Sequence, residues 1–145
     1  MGILSWQWAR LGELSLDAQY ELHEFRGAVG SLGQGIGYLD TDSEDREGYH
    51  LLGWEEGNLV AYLRVQDEGK ELTLDRMGVR RADLWPALIR EALEEMGRSY
   101  RGRSITLQVD PQLEGTCQAM GFVAVSSPFN LEGRPHIEMT SRPRG

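Results

Sequence analysis

The stretch that decides the fold is Glu71-Leu-Thr-Leu-Asp-Arg-Met-Gly-Val79, which continues through Arg80-Arg-Ala-Asp-Leu-Trp-Pro86 into an apolar pattern that ends near Met96. Its first part alternates apolar and polar residues, which predicts a half-buried strand. After the basic turn, apolar residues recur at helical spacing in two adjoining rows: Leu84, Leu88, Ala92 and Met96, beside Trp85, Ile89 and Leu93. The stretch therefore predicts a strand, a tight turn and a long amphipathic helix.

The turn between this strand and this helix carries two arginines, Arg80 and Arg81. Unpaired backbone N–H groups and the helix dipole favour an anion at a helix N-terminus, so basic residues there are typical of a phosphate site. Asp83 opposes this interpretation, because an aspartate at this position is expected to cap the helix and to place negative charge where the anion would lie. The residues alone leave both interpretations open.

Length and composition exclude several classes of function. A chain of 145 residues predicts a single domain, 1–145, that is long enough to bury a core. A formal charge of −8 argues against nucleic acid or an anionic membrane as the main partner. The sequence has neither an apolar run that would cross a membrane nor the features of a signal peptide. One cysteine, Cys117, cannot form an internal disulfide, which fits a reducing cytoplasm.

The remaining patterns predict an α+β layer structure with a mixed, mostly antiparallel sheet flanked by helices. Strands are predicted at 5–9, 49–54, 59–65, 104–110, 122–126 and 135–139, with a helix that begins near Ser15 or Asp17 and a short one after Pro111. Residues 27–37 include five glycines, which predicts that the first helix ends there. Residues 127–133 are predicted to form a loop.

An acidic segment follows the glycine-rich loop. It places Asp40, Asp42, Glu44 and Asp45 within six residues. The glycine and the terminal glutamate of a calcium-binding EF-hand loop are missing, which leaves a solvated turn or a surface that attracts a cationic amine. One cysteine and three scattered histidines give no metal-ligand spacing, so no metal site is predicted.

Short patterns occur in a fixed order along nearly the whole chain. They are His50-Leu-Leu-Gly53, Ala61-Tyr-Leu-Arg64, Arg76-x-x-Val79, Gly121-Phe122 and Gly133-x-Pro-His-Ile-x-Met139, preceded by a cluster at Arg26, Gln34, Tyr38, Asp40, Asp42 and Asp45. In this order and spacing the chain resembles the ElaA-like branch of the GNAT superfamily of N-acetyltransferases. The resemblance implies a GNAT-like (acyl-CoA N-acyltransferase) fold and the transfer of acetyl from acetyl-CoA to a small-molecule or peptide amine.

In that family, the fourth strand and the helix after it hold acetyl-CoA. The resemblance implies that the cofactor-binding positions here are Met77, Gly78, Val79, Arg80, Arg81 and Leu84. The strand backbone would pair with the pantetheine arm, and the turn would wrap the pyrophosphate. Leu84 and Pro86 stand where the family has glycines. Proline lacks an N–H donor and the leucine β-carbon narrows the approach, so the turn departs from the family pattern.

The resemblance also assigns site residues. The substrate-binding residues would be Arg26, Gln34, Tyr38, Asp40 and Asp42. Cys117 stands where many members have a tyrosine that protonates the departing coenzyme A thiolate, and a neutral thiol can donate a proton. A buried packing role is the alternative for Cys117. His136 is expected to line the site, as a general base or as a structural hydrogen-bonder.

Two hypotheses of different class follow. The first is a cytoplasmic N-acetyltransferase in which a neutral amine attacks the thioester directly, with no covalent nucleophile and with strand N–H groups near Met77 to Val79 binding the oxyanion. The second is a catalytically silent GNAT-fold protein that has lost the pyrophosphate site and binds another ligand or a protein. Dimers are common among relatives, so a homodimer is one expected assembly. The acceptor amine is not specified by the sequence.

Overall fold

The fold is built on one mixed sheet, and the computed structural model describes residues 2–31, 43–131 and 133–141. The strands are β1 (Leu4–Arg10), β2 (Tyr49–Glu55), β3 (Asn58–Asp67), β4 (Glu71–Val79), β5 (Ser104–Val109), β6 (Phe122–Ala124), β7 (Phe129–Leu131) and β8 (Arg134–Ser141). The helices are α1 (Leu16–Ser31), α2 (Trp85–Ser99) and α3 (Glu114–Gln118), with short 3-10 turns at Leu11–Glu13, Ser43–Arg46, Ala82–Leu84 and Pro111–Leu113. This arrangement confirms the predicted α+β class.

α1 ends at Ser31, within the glycine-rich range that is expected to stop it, and one other element differs from the prediction. α1 continues through Gly27 to Ser31, although glycine in a helix interior costs about 1 kcal/mol relative to alanine. Phe25 and Val29, on either side of that glycine, are buried, so packing of this face holds the helix together past Gly27. β7 lies within the segment predicted as a loop, because a strand of three residues is too short to show a period.

The sheet contains one parallel pair. Within the described residues the strand order is β1-β2-β3-β4-β5-β8-β6, with β7 paired to β8 outside this path. Every pair is antiparallel except β4 and β5, where residues 71–74 pair with residues 104–107. Beyond Leu74 and Leu107, the described parts of these two strands are no longer paired. The C-terminal halves of β4 and β5 therefore separate.

A bulge in β4 lies at the point of separation. Asp75 is opposite Arg64 and Gly78 is opposite Tyr62, so three steps along β4 match two steps along β3. Arg76, inside the bulge, has a φ of 53°, in the left-handed region that is uncommon for a residue with a side chain. A bulge bends its strand and increases the local twist. β4 is therefore bent where its pairing with β5 ends.

The helices cover the two faces of the sheet. On one face, α2 buries the two rows predicted from its spacing, namely Trp85, Leu88, Ile89, Ala92, Leu93 and Met96. On the other face, α1 buries Leu22, Phe25 and Val29 in a smaller cluster with Leu52, Leu59 and Tyr62 of β2 and β3. Burial of these apolar faces provides most of the drive for folding.

A buried ion-pair network lies beneath α1. The Arg64 guanidinium donates from Nη1 to Asp45 Oδ1 at 2.8 Å, and from Nε and Nη2 to the two carboxylate oxygens of Asp75, each at 2.9 Å. Arg26 Nη1 donates to the same Asp45 oxygen at 3.0 Å, and Gln66 Nε2 donates to Asp75 Oδ2 at 2.7 Å. Arg26, Asp45 and Arg64 are at most 3% exposed. The network joins α1, the turn Ser43–Arg46, β3 and β4.

His50 is buried next to this network. Its Nε2 lies 2.8 Å from the backbone carbonyl oxygen of Asp45, and its Nδ1 lies 2.6 Å from the hydroxyl oxygen of Tyr62. Because a carbonyl only accepts, Nε2 carries the proton and Nδ1 accepts the hydrogen bond from Tyr62. Burial lowers the pKa of His50 and outweighs the hydrogen bond to Asp45 and the charge of Asp45, which raise this pKa. His50 is therefore neutral in the folded protein at pH 7.

Replacement of Arg64 by methionine is expected to lower the free energy of unfolding by about 3–5 kcal/mol, because Asp45 loses a partner in a site closed to water. Urea denaturation followed by tryptophan fluorescence measures this change. Arg98→Met is the control: it removes an exposed arginine that pairs with Glu95, and its expected effect is much smaller, because an exposed ion pair adds little to stability. If the two variants lose the same free energy of unfolding, the buried network stabilises the fold no more than an exposed ion pair does.

Stability is expected to fall as the pH is lowered through about 6.5, because the unfolded chain then protonates His50 while the folded protein, with its lower His50 pKa, does not. This loss levels off once the pH drops below the folded pKa. Urea denaturation at about pH 7.5 and about pH 5 measures it. His50→Gln should reduce the pH dependence, whereas His23→Gln, at an exposed position of α1, should retain it. The same pH dependence in both variants would refute this assignment.

Candidate functional site

The first feature of the site is the space between the separated halves of β4 and β5. The C-terminal half of β4 still pairs with β3, where Gly78 is opposite Tyr62 and Val79 is opposite Ala61. The side chains of Met77 and Val79 are buried in the core. The opposite backbone edge of the half-strand lies beside the space rather than beside a described strand. An extended ligand with amide groups can add to such an edge as a strand does.

The two arginines of the turn have different surroundings. The backbone N–H of Arg80 donates to the carbonyl of Val60 at 2.8 Å, and its side-chain Nε donates to the carbonyl of Leu59 at 3.0 Å. The Arg80 guanidinium carbon lies 5.1 Å from the ring centroid of Phe25, which belongs to α1. Arg80 therefore lies on the α1 side of the sheet and packs against β3 and Phe25.

Arg81 lies immediately before the 3-10 turn that leads into α2. Its Nη1 and Nη2 donate to the two carboxylate oxygens of Glu55 at 2.8 and 3.1 Å, and its Nε donates to Asp83 Oδ1 at 3.2 Å. The hydrogen bonds from Arg81 lower the pKa of Glu55, and the bonds to Glu55 raise the pKa of Arg81. The cation nearest the start of α2 is therefore already bound by two carboxylates.

The start of α2 has no side-chain cap. The 3-10 turn Ala82–Leu84 precedes it, and Leu84 is the N-cap residue, so the prediction that Asp83 caps the helix is wrong. Asp83 lies one residue too early and accepts a hydrogen bond from Arg81 instead. Leu84 buries its side chain in the core, and Pro86 lies in the first turn of the helix, where it removes one N–H donor. This helix end offers fewer donors than a glycine-rich turn would.

Cys117, the first predicted catalytic residue, lies on α3 and is fully buried among apolar side chains. Burial raises the pKa of the Cys117 thiol to about 11. The thiol therefore remains protonated at neutral pH, and it is a weaker acid than an exposed cysteine, whose pKa is about 8.5. This environment fits the packing alternative better than efficient proton donation.

His136, the second predicted catalytic residue, lies on β8 and is almost fully buried. Its Nδ1 is 2.9 Å from the backbone carbonyl oxygen of Arg134, and its ring is tilted against that of Phe129 with centroids 6.4 Å apart. Because the carbonyl accepts, Nδ1 carries the proton of the neutral ring and Nε2 carries the acceptor lone pair. That tautomer is the one a general base would need if Nε2 were to accept a proton.

Of the predicted substrate-binding residues, Arg26 is described and forms the buried ion pair with Asp45. Gln34, Tyr38, Asp40 and Asp42 lie outside the described residues. The structure thus brings Arg26 and Asp45, two members of the cluster found in the sequence, into direct contact. The contact connects α1 to the turn Ser43–Arg46.

Sequence reasoning missed two side chains that shape the site. Arg64 is the last residue of the pattern Ala61-Tyr-Leu-Arg64. A charged residue between apolar Leu63 and Val65 in a buried strand is also a signal for a buried ion pair. Glu55 gave no local signal, because it is 26 residues from Arg81 and meets it only through the order of the strands. Its sequence context indicated no more than a hairpin turn.

Two further observations concern metals and membranes. Among the described residues, no group of three histidine, cysteine, aspartate or glutamate side chains is placed to hold a metal ion. None of the described helices combines the length and apolar character needed to span a bilayer.

Comparison with known proteins gives relatives over almost the full chain, although no protein-family profile matches the sequence. Protein ElaA from Escherichia coli is 30% identical over 146 residues, which cover 94% of this chain and 95% of ElaA. The crystal structure of Escherichia coli ElaA aligns with a TM-score of 0.83 at 29% identity and covers 97% of this chain and 100% of that one. An acyl-CoA N-acyltransferase from Pseudomonas aeruginosa also has a TM-score of 0.83, at 27% identity, covering 96% and 99% of the two chains.

These similarities extend over nearly the whole length of each relative, so they concern the complete fold and not one shared segment. The resemblance found in the sequence patterns is therefore confirmed. The chain belongs to the ElaA family, an ElaA-like branch of the GNAT superfamily with the acyl-CoA N-acyltransferase fold.

Proposed function

We propose that this protein is an N-acetyltransferase that moves the acetyl group of acetyl-CoA to an amine of a small molecule or peptide. The observation that carries the proposal is the separation of β4 from β5 beyond Leu74 and Leu107 in a chain of this family. The likeness to the acyl-CoA N-acyltransferase from Pseudomonas aeruginosa supports acyl transfer in general. Acetyl as the group and an amine as the acceptor are the finer parts of the proposal.

In this proposal, the backbone of Met77, Gly78 and Val79 pairs with the pantetheine arm along the β5-facing edge of β4. Arg81 binds the pyrophosphate next to the start of α2, where the helix dipole also favours an anion. Leu84 borders this position through its backbone, because its side chain is buried. Arg80 contributes less directly, since its guanidinium packs on the α1 side against Phe25.

The proposed chemistry is direct attack of the neutral amine on the thioester. His136, through Nε2, accepts the amine proton, and N–H groups of β4 near Met77 stabilise the oxyanion. The departing thiolate takes its proton from water or from Cys117, and the raised pKa of Cys117 favours water. Recognition of the amine is assigned to the cluster from the sequence, namely Arg26, Gln34, Tyr38, Asp40 and Asp42. Arg26 acts there by holding Asp45 in place.

A second candidate function is a catalytically silent GNAT-fold protein that binds another ligand or a protein partner. The observation that favours it is the state of the turn before α2. Arg81 is bound by Glu55 and Asp83, and Pro86 removes an N–H donor from the first turn of the helix. Both candidates share the fold, and they differ in whether the turn still binds a diphosphate.

Titration calorimetry with acetyl-CoA distinguishes the two candidates. The transferase is expected to bind acetyl-CoA with micromolar affinity, and Arg81→Gln is expected to weaken binding about tenfold by removing charge-assisted hydrogen bonds to phosphate. Arg90→Gln, which removes the same charge from an exposed position of α2, is the control and should change the affinity less than about twofold. Release of free thiol with a panel of primary amines then measures turnover. If the protein does not bind acetyl-CoA at millimolar concentration, the transferase is excluded and the catalytically silent GNAT-fold protein is the remaining candidate.

Cys117→Ala tests the two roles of the buried thiol. We expect the free energy of unfolding to fall by about 1 kcal/mol, because a buried sulfur atom is removed from the core, and kcat to change less than about threefold. Urea denaturation and the thiol-release assay measure the two quantities on one preparation. A loss of kcat of about 100-fold with unchanged stability would instead assign Cys117 as the general acid. Cys117→Ser, which restores a proton donor, would then recover part of the activity.

A further inference from the structure

The ion pair between Glu55 and Arg81 carries an inference that rests on the proposed function. Glu55 is the last residue of β2, and Arg81 follows the end of β4 by two residues. Both oxygens of the carboxylate accept hydrogen bonds from the guanidinium, at 2.8 and 3.1 Å. A phosphate group would use the same paired donors, because guanidinium binds carboxylate and phosphate with the same two-pronged geometry.

We propose that Glu55 is an internal competitor for the diphosphate of the acyl donor. It holds Arg81 while the site is empty, and it must release Arg81 when a diphosphate binds. The charge of Arg81 is matched by two carboxylates, those of Glu55 and Asp83, which both bind its guanidinium. An incoming diphosphate therefore meets no free positive charge on Arg81 until the Glu55 side chain moves away.

The surroundings of Glu55 allow this exchange. Its backbone is held by strand pairing on both sides, opposite Leu4 of β1 and Asn58 of β3. Release therefore requires a rotation of the side chain only. The side chains of Glu55 and Arg81 are 17% and 38% exposed, so water can replace each partner as the pair opens. Partly exposed ion pairs are weak, which places the exchange within the binding energy of a diphosphate.

The competition acts on one part of the donor. A ligand that carries a diphosphate must displace Glu55, whereas pantetheine, which lacks phosphate groups, has no reason to approach Arg81. Glu55 is thus a specificity-determining residue that lowers donor affinity through the diphosphate alone. It also gives the turn a means to reject ligands whose anionic group binds Arg81 less well than a carboxylate does.

Calorimetry with coenzyme A and with pantetheine on Glu55→Gln tests the inference. Coenzyme A is expected to bind Glu55→Gln about three- to fivefold more tightly than the parent protein, while pantetheine binds both equally. Glu56→Gln is the matched control, because it removes the same charge from the next residue and should change coenzyme A affinity less than about twofold. In an Arg81→Gln background, Glu55→Gln should give no gain. Thermal melting of each variant checks that the fold is retained.

The outcomes separate this inference from the proposed function. If the parent protein binds coenzyme A and Glu55→Gln binds it no more tightly, the role of Glu55 is overturned and the donor site stands. If Glu55→Gln binds coenzyme A about three- to fivefold more tightly than the parent protein and pantetheine binds both equally, Glu55 is confirmed as the competitor. If neither protein binds at millimolar coenzyme A, the turn has no diphosphate site, and both the inference and the proposed function fail.

Discussion

The structure depends on one guanidinium, that of Arg64, which is shared between two carboxylates. Asp75 comes just before the bulge in β4, and Asp45 lies in the turn Ser43–Arg46, at the end of the acidic segment. Because a buried charge that loses a partner is costly, both carboxylates are held where Arg64 can reach them. The bend in β4 and the position of the turn are therefore fixed together. The space between β4 and β5 is thus constrained from the α1 side of the sheet.

The two arginines of the turn before α2 are both bound by other groups of the protein. Arg80 uses its side chain to join β4 to β3 and α1, and Arg81 is bound by carboxylates from β2 and from its own turn. In the sequence, two arginines before a helix are typical of a phosphate site. The distances show that Arg81 is paired with two carboxylates, whereas the Arg80 side chain donates to a backbone carbonyl and packs on Phe25. Whether the protein is a transferase or a silent binder depends on this balance of charges.

The elements and their buried faces could be predicted because periodicity is a local property of the chain, as the two rows of α2 show. The strand β7 could not, because three residues are too few to show a period. Family patterns predict that the half-strand of β4 and His136 belong to the site, and this assignment stays a prediction. The pairing of Glu55 with Arg81 could not be predicted from the sequence, because only the order of strands in the sheet brings these residues together.

The order of the strands along the chain also has a kinetic consequence. β2, β3 and β4 are sequential neighbours joined by short turns, so the entropy lost on closing their connections is small. β5 pairs with β4 only across the whole of α2, and with β8 only across α3, β6 and β7. Since contacts distant in sequence form late, the meander is expected to assemble before β5 docks. The space between β4 and β5 is then expected to form only as folding is completed, because β5 is one of its two walls.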